Sequence, residues 1–286
     1  MSHPFDGAYA KLDRARHHAR DLQEILSVLL DAEEYRFICE MDGDPTKLVY
    51  RVDRLPVLGP EVRATFGDFL TNVRASLDHL AWQLVPDTSP VKINEPENIK
   101  FPIRESRFTP KGKPSPARIK GVTDPKVIRA VEAVQPYDKT EPRDRDGNPL
   151  RILNVLCNTD KHRVLLVAVI ALKQLGMWWG TKEGDPIPTI GINPYALKDN
   201  DPVAWFDFQG RIPSPDFDPH LSLHVRLDEI VPGTWDVRRV NLMSLVGMLY
   251  NHVEHGVFGM HFAPLFGMTG RHEMTATWPV PLDRSL

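Results

Sequence analysis

Apolar residues recur at intervals of three and four in two long segments of the N-terminal half of the chain. The first stripe consists of Phe5, Tyr9, Leu12, Ala19, Leu22, Ile25, Leu26 and Leu29, and the second of Phe66, Leu70, Val73, Leu77, Leu80 and Leu84. Because an α-helix has about 3.6 residues per turn, each stripe occupies one face of a helix. Pro60 suits a first helical turn and Pro86 cannot continue a helix, so the second helix is predicted between these prolines.

Three more segments have helical signals. Asp124 followed by Pro125 is typical of an N-cap and a first helical turn, and it predicts a short helix that ends at about Gln135. Helical spacing also predicts a helix from Leu150 to about His162 and a final helix from Trp235 to about Phe258.

Alternating apolar and polar positions indicate strands in two parts of the chain. Residues 35–41 and 48–52 flank the turn sequence Asp42-Gly43-Asp44-Pro45, which predicts a β-hairpin. Three β-rich segments follow in the C-terminal half: Val164–Leu172, Val203–Phe208 and Leu221–Leu227. The sequence therefore predicts an α+β protein with a helical bundle core, an N-terminal β-hairpin and a β-rich insertion in the C-terminal half.

We expect these elements to form one compact unit in three parts. Residues 1–163 are predicted to form the helical core with the hairpin and a proline-rich loop, residues 164–236 the β-rich region, and residues 237–286 a C-terminal helix that packs back on the core, with a tail. The proline-rich loop, residues 86–124, has little periodicity. Loops of this length are often functional.

Composition favours an ordinary globular protein and excludes several classes. Apolar residues make up 42% of the 286 residues and the net charge is −3, so no global charge draws the chain to nucleic acid or to anionic lipid. Any contact with nucleic acid must then come from a local patch. The longest apolar run has nine residues, which is too short to span a bilayer. Cys39 and Cys157 are the only cysteines, and we expect two buried free thiols in a cytoplasmic protein without membrane association.

The usual cofactor and hydrolase motifs do not occur in the sequence. There is no GxGxxG, GxxxxGK[ST], HExxH or GxSxG, so dinucleotide, P-loop, zincin and α/β-hydrolase functions lose support. Two dense polar clusters instead adjoin helical sequence. The first cluster runs from Asn72 to His79 and includes Arg74 and Asp78; the second runs from Asn158 to Arg163 and includes Asp160, Lys161 and His162.

Each cluster has a structural and a functional interpretation. Arg74 and Asp78 are spaced for an i,i+4 ion pair, while Asn72 and His79 border the apolar stripe and could bond to a neighbouring helix. Lys161, His162 and Arg163 could neutralise the negative end of their helix. In the functional alternative they form an anion-binding site whose histidine titrates near neutrality.

Arg74-Ala75-Ser76-Leu77-Asp78-His79 is similar to the signature of the HEPN family, an arginine followed after four to six residues by a histidine on a helix. These higher eukaryote and prokaryote nucleotide-binding proteins are helical bundles that include metal-independent ribonucleases. The resemblance implies Arg74 and His79 as catalytic residues that cleave RNA without a metal or other cofactor, at a cleft often formed by a homodimer. The remaining polar residues of both clusters would support the site or bind the anion: Asn72, Asp78, Asn158, Asp160, Lys161, His162 and Arg163.

The chemistry of such a site is coherent. A histidine that titrates near neutral pH can remove the proton of the 2′-hydroxyl, and an arginine can stabilise the charge of the phosphorane. Two other hypotheses stay open: a non-catalytic binding or structural protein in which the clusters only join helices, and a metalloenzyme with His79, His162, His252 and His255 as ligands. If the clusters form one site, the helices that carry them must pack side by side.

Overall fold

The computed structural model of the 286-residue chain confirms the α+β class. It describes residues 5–30, 35–138, 147–163, 167–172, 187–193, 195–228 apart from 216, 218 and 220, and 240–267. The predicted start of the last helix at Trp235 lies outside the described residues.

Six α-helices are present in the described part of the chain. They are α1 (Asp6–Leu29), α2 (Pro60–Leu84), α3 (Pro90–Asn94), α4 (Pro125–Ala133), α5 (Pro149–His162) and α6 (Leu242–Asn251). The predicted helix signals act as expected, since the Asp124 carboxylate accepts a hydrogen bond from the Lys126 amide at the start of α4. The final helix differs from its prediction, because α6 is followed by a π-helix at His252–Phe262.

Among the described residues, six strands form two antiparallel sheets. The strands are β1 (Phe37–Met41), β2 (Lys47–Val52), β3 (Val167–Leu172), β4 (Thr189–Ile192), β5 (Pro202–Asp207) and β6 (Ser222–Leu227). The first sheet has the order β1-β2-β5-β4, and the second pairs β3 with β6. The predicted hairpin is β1–β2, in which Phe37 pairs with Val52 and Met41 with Leu48.

The chain divides into two compact units, which differs from the single unit expected from the sequence. The first unit comprises residues 1–22, 63–165 and 229–286, and the second comprises residues 23–62 and 166–228. The N-terminal hairpin belongs to the second unit because β2 pairs with β5, a contact between residues far apart in sequence. The hairpin is therefore part of the sheet and not of the helical core.

Each unit has its own apolar core. In the helical unit the predicted stripe of α2 is buried, with Phe66, Leu70, Val73 and Leu77 fully inaccessible to solvent. In the sheet unit, Tyr50 and Phe206 contact edge to face, and Phe206 contacts Phe217. None of the described helices is long and apolar enough to cross a membrane.

The two cysteines differ in exposure, which corrects the expectation of two buried thiols. Cys157 is buried in α5, whereas Cys39 is exposed on β1. The physical reason is the position of β1 at the edge of its sheet, where four of its five residues are exposed. Cys39 is thus accessible to reagents in the folded chain.

Candidate functional site

Arg74 and Asp78 lie one helical turn apart on α2 and bind the main chain of one residue in the proline-rich loop. The Arg74 guanidinium donates a hydrogen bond to the Phe101 carbonyl at 2.7 Å, and the Asp78 carboxylate accepts one from the Phe101 amide at 2.9 Å. Arg74 and Asp78 also form the predicted i,i+4 ion pair, at 3.3 Å. We call this arrangement the Phe101 clamp; it satisfies both main-chain groups of Phe101, whose side chain is fully buried.

Gln135 binds the main chain of two further loop residues, Pro102 and Arg104. Its amide nitrogen donates to the carbonyls of Pro102 and Val131, at 3.0 and 2.9 Å, and its amide oxygen accepts from the Arg104 amide at 2.9 Å. Gln135 is fully buried, so its three hydrogen bonds are made away from solvent. Side chains of α2 and of the residue after α4 thus bind the main chain of Phe101, Pro102 and Arg104.

The sequence did not single out Gln135 as a site residue. The available signal was one amide directly after the apolar positions of α4, next to a proline. A buried amide must use its donors and acceptor on something, but its partners are about 30 residues away in the sequence.

His79 lies away from the Phe101 clamp. Its side chain is exposed and lies beside Gly7 at the start of α1, where a Cβ atom built on Gly7 would be 3.0 Å from Nδ1 of His79. The side chain makes no hydrogen bond to another residue in the described part of the chain. The structure therefore places Arg74 against the loop and His79 against α1, in keeping with the separation of about 140° around α2 that helical geometry gives for five residues.

The predicted side-by-side packing of α2 and α5 is confirmed by two contacts. The Cys157 thiol approaches the Leu70 carbonyl at 3.5 Å, and the Asp160 carboxylate lies against Gly67, where a built Cβ atom would be 2.7 Å from Oδ2. The two helices run antiparallel, because Cys157 contacts α2 at a later position than Asp160 does. Gly67 permits this contact since any larger side chain would displace the carboxylate.

The electrostatics of this interface disfavour charge. Burial, and then the negative charge of Asp68, raise the pKa of the Asp160 carboxyl above its ordinary value. Burial raises the pKa of the Cys157 thiol to about 12, against the opposing effect of Arg74 and Lys161. Cys157 is therefore a neutral, unreactive thiol at physiological pH.

The remaining predicted residues of the two clusters are at the surface or bonded locally. Asn72 donates to the Asp68 carbonyl one turn earlier in α2, at 2.9 Å. Asn158, Lys161, His162 and Arg163 are exposed at the end of α5. Gly67, which marks the end of α5 on α2, is twelve residues from His79, or about 18 Å along the helix axis. Asp160 and His79 therefore lie at different heights along α2, and the contacts described here do not bring His79 to His162.

The last two helical segments carry a buried polar network that the sequence did not predict. Arg16 of α1 donates to the Tyr250 hydroxyl at 3.1 Å and to Glu254 at 3.2 Å, and the Tyr250 hydroxyl lies 3.3 Å from the same carboxylate. Burial and the negative charge of Glu254 raise the pKa of Tyr250. This network joins α1 to α6 and the π-helix.

Within the described ranges, no three side chains of histidine, cysteine, aspartate or glutamate come together as a metal site. Comparison of the chain with protein-family models, with curated proteins and with solved structures found no match.

Proposed function

We propose that this chain is a non-catalytic helical binding protein in which the Phe101 clamp fixes the proline-rich loop as a preformed recognition element. One observation carries the proposal: Arg74 and Asp78 both bind the main chain of Phe101. The Arg74 guanidinium already has two partners within the protein, the Phe101 carbonyl and the Asp78 carboxylate. It is not poised to hold a phosphate.

The hydrogen-bonding needs of the loop main chain also support a binding function. Main-chain groups of a buried residue need partners, and Pro102, which follows Phe101, has no amide to donate. Arg74, Asp78 and Gln135 supply these partners from two helices. Such pre-organisation lowers the entropy lost when a loop binds its ligand.

A cleavage assay tests this proposal. Purified wild type, Arg74→Ala and His79→Ala are incubated with structured and single-stranded RNA in the presence of a chelator, and the thermal midpoint of each is measured. We expect no cleavage above that of a mock purification, and a lower melting temperature for Arg74→Ala only. Cleavage by the wild type that is lost in both folded variants would overturn the proposal.

The second candidate is the metal-independent endoribonuclease implied by the HEPN resemblance. Two observations favour it: the His79 side chain is exposed, and Nη1 of Arg74 has no hydrogen-bond partner among the described residues. His79 would act as the general base and Arg74 as the phosphate clamp. This candidate needs the Arg74 side chain to leave Phe101 when RNA binds, so it predicts that RNA increases amide exchange at Phe101.

A cellular compartment and an oligomeric state can also be proposed. We propose a reducing compartment, the cytoplasm, which is supported by the absence of a disulfide between Cys39 and Cys157. For the ribonuclease candidate we propose a homodimer, because Arg74 and His79 face different neighbours within one chain. Light scattering during size-exclusion chromatography decides this, and a monomer would exclude the shared cleft.

A further inference from the structure

The segment from Lys100 to Lys120, within the proline-rich loop, concentrates positive charge. It carries seven cationic side chains and a single carboxylate, Glu105, which gives a net charge of +6 against −3 for the whole chain. The rest of the chain therefore carries a net negative charge. A local patch of this kind is what a chain of negative net charge requires to bind a polyanion.

The positive charges of this segment are available at the surface. Glu105 is already paired with Arg151 at 3.0 Å, so it does not neutralise the loop cations. Lys120 is paired with Glu95, and Arg107 lies over the Tyr137 ring. The other five cations are exposed and form no ion pair with any described residue: Lys100, Arg104, Lys111, Lys113 and Arg118.

The segment is ordered by its own hydrogen bonds. The Thr109 amide donates to the Lys113 carbonyl at 2.8 Å and the Ser115 amide to the Arg107 carbonyl at 2.6 Å, which closes a short turn. Gly112 has a φ of +72°, a left-handed conformation that glycine adopts without strain and that places Lys111 and Lys113 on either side of the tip. The Phe101 clamp and Gln135 hold the beginning of the segment.

Phe108 stands beside these cations with 57% of its surface exposed. It borders an open concavity of about 480 Å³ together with Arg104 and Ser106. In proteins that bind single-stranded nucleic acid, aromatic rings beside cations stack on the bases. The concavity is open to solvent, so a ligand would lie against it without being enclosed.

We propose that this surface, which we call the basic loop surface, binds single-stranded nucleic acid. The five free cations contact phosphates, and Phe108 stacks on one base beside the concavity. The inference rests on the proposed function, because the Phe101 clamp must present the loop. A membrane fits less well, since Phe108 is the one large apolar side chain exposed between Lys100 and Lys120, and membrane insertion needs several.

Fluorescence anisotropy of the full chain tests the proposal. The probes are labelled oligo(U) and oligo(dT) of about 15 nucleotides, at about 50 mM and about 200 mM salt. With five phosphate contacts, the affinity should fall about 100-fold between these salt concentrations. Equal affinity for both probes indicates recognition of phosphate and base alone, whereas preference for oligo(U) adds a contact to the 2′-hydroxyl.

Two variants separate charge from stacking. The double variant Lys111→Glu/Lys113→Glu should weaken binding at least about tenfold at low salt and reduce the slope of log affinity against log salt by about 1.4. Phe108→Ala should weaken binding about tenfold with the slope unchanged. The matched controls are Arg54→Glu/Lys198→Glu and Tyr195→Ala, which alter exposed residues of the other unit and should leave binding unchanged.

Three results would overturn the inference: no saturable binding of either probe by the wild type, loop variants that bind as the wild type does, or binding of phosphatidylserine vesicles without binding of the probes. Amide exchange of residues 101–104 in Asp78→Ala separates this failure from failure of the proposed function. If exchange there increases while the wild type binds no oligonucleotide, the role of the Phe101 clamp is supported. The proposal that the basic loop surface binds nucleic acid is then refuted.

Discussion

Replacing Asp78 with alanine tests the Phe101 clamp directly. The carboxylate accepts from the Phe101 amide at 2.9 Å and pairs with Arg74 at 3.3 Å. A hydrogen bond to a charged group contributes about 1.5 to 3 kcal/mol, and the Phe101 amide would be left without its acceptor in a buried residue. The ion pair adds at most about 1 kcal/mol, because the two side chains are 18% and 33% exposed.

The expected loss is therefore about 3 kcal/mol for Asp78→Ala. Asp78→Asn keeps an acceptor oxygen and loses only the charge, so about 1 kcal/mol is expected. An exposed pair provides the control: Arg36 and Asp53 approach to 2.9 Å but are 80% and 40% exposed, and Arg36→Ala should cost less than about 1 kcal/mol.

Hydrogen exchange at the Phe101 amide is the appropriate assay. The two compact units need not unfold together, so a global melting curve would mix their contributions. A loss of about 3 kcal/mol corresponds to roughly a 100-fold faster exchange at Phe101 in Asp78→Ala. Exchange that stays within a few-fold of the wild type, with the Asn and Ala variants alike, would refute the reasoning.

Three further predictions concern Gln135, Asp160 and the two cysteines. Gln135→Ala should destabilise the helical unit by about 2 to 3 kcal/mol in urea unfolding, because three buried hydrogen bonds are lost. Because the pKa of Asp160 is raised in the folded state, ionisation of its carboxyl lowers the free energy of unfolding. This loss of stability is absent below the ordinary pKa of 3.8, grows as the pH rises from there to the folded pKa, and is complete above the folded pKa. Asp160→Asn should therefore melt higher than the wild type at neutral pH, with the difference disappearing in acid. A disulfide reagent at about pH 8 should label Cys39 rapidly, while Cys157, with a pKa of about 12, should react only after unfolding; two fast thiols would contradict this.

The helices could be predicted from the sequence because their signals are local. The stripe of α2 is a repeat of three and four residues, and the cap of α4 is a pair of neighbouring residues, Asp124 and Pro125. The i,i+4 ion pair of Arg74 and Asp78 is local in the same sense. Such patterns are decided within one or two turns, so the rest of the chain does not alter them.

The pairing of distant segments could not be predicted in this way. β2 pairs with β5 across more than 150 residues, which moves the hairpin out of the helical unit. Likewise, nothing in the sequence around Arg74 indicates that its partner is the carbonyl of Phe101. Both contacts depend on how the chain returns to itself, and a periodic pattern contains no such information.

The position of Arg74 favours the proposed binding function over the ribonuclease. An arginine-histidine motif on a helix implies catalysis only if both side chains reach the same reacting group. Here the arginine is bonded to Phe101 and paired with Asp78, while the histidine lies beside Gly7. The same residues that match the motif are thus used to order a loop, and that loop carries the exposed cations. We therefore propose binding and not catalysis, because Nη2 of Arg74 is bonded to Phe101 and paired with Asp78, and a phosphate would have to bind through Nη1 without displacing the loop.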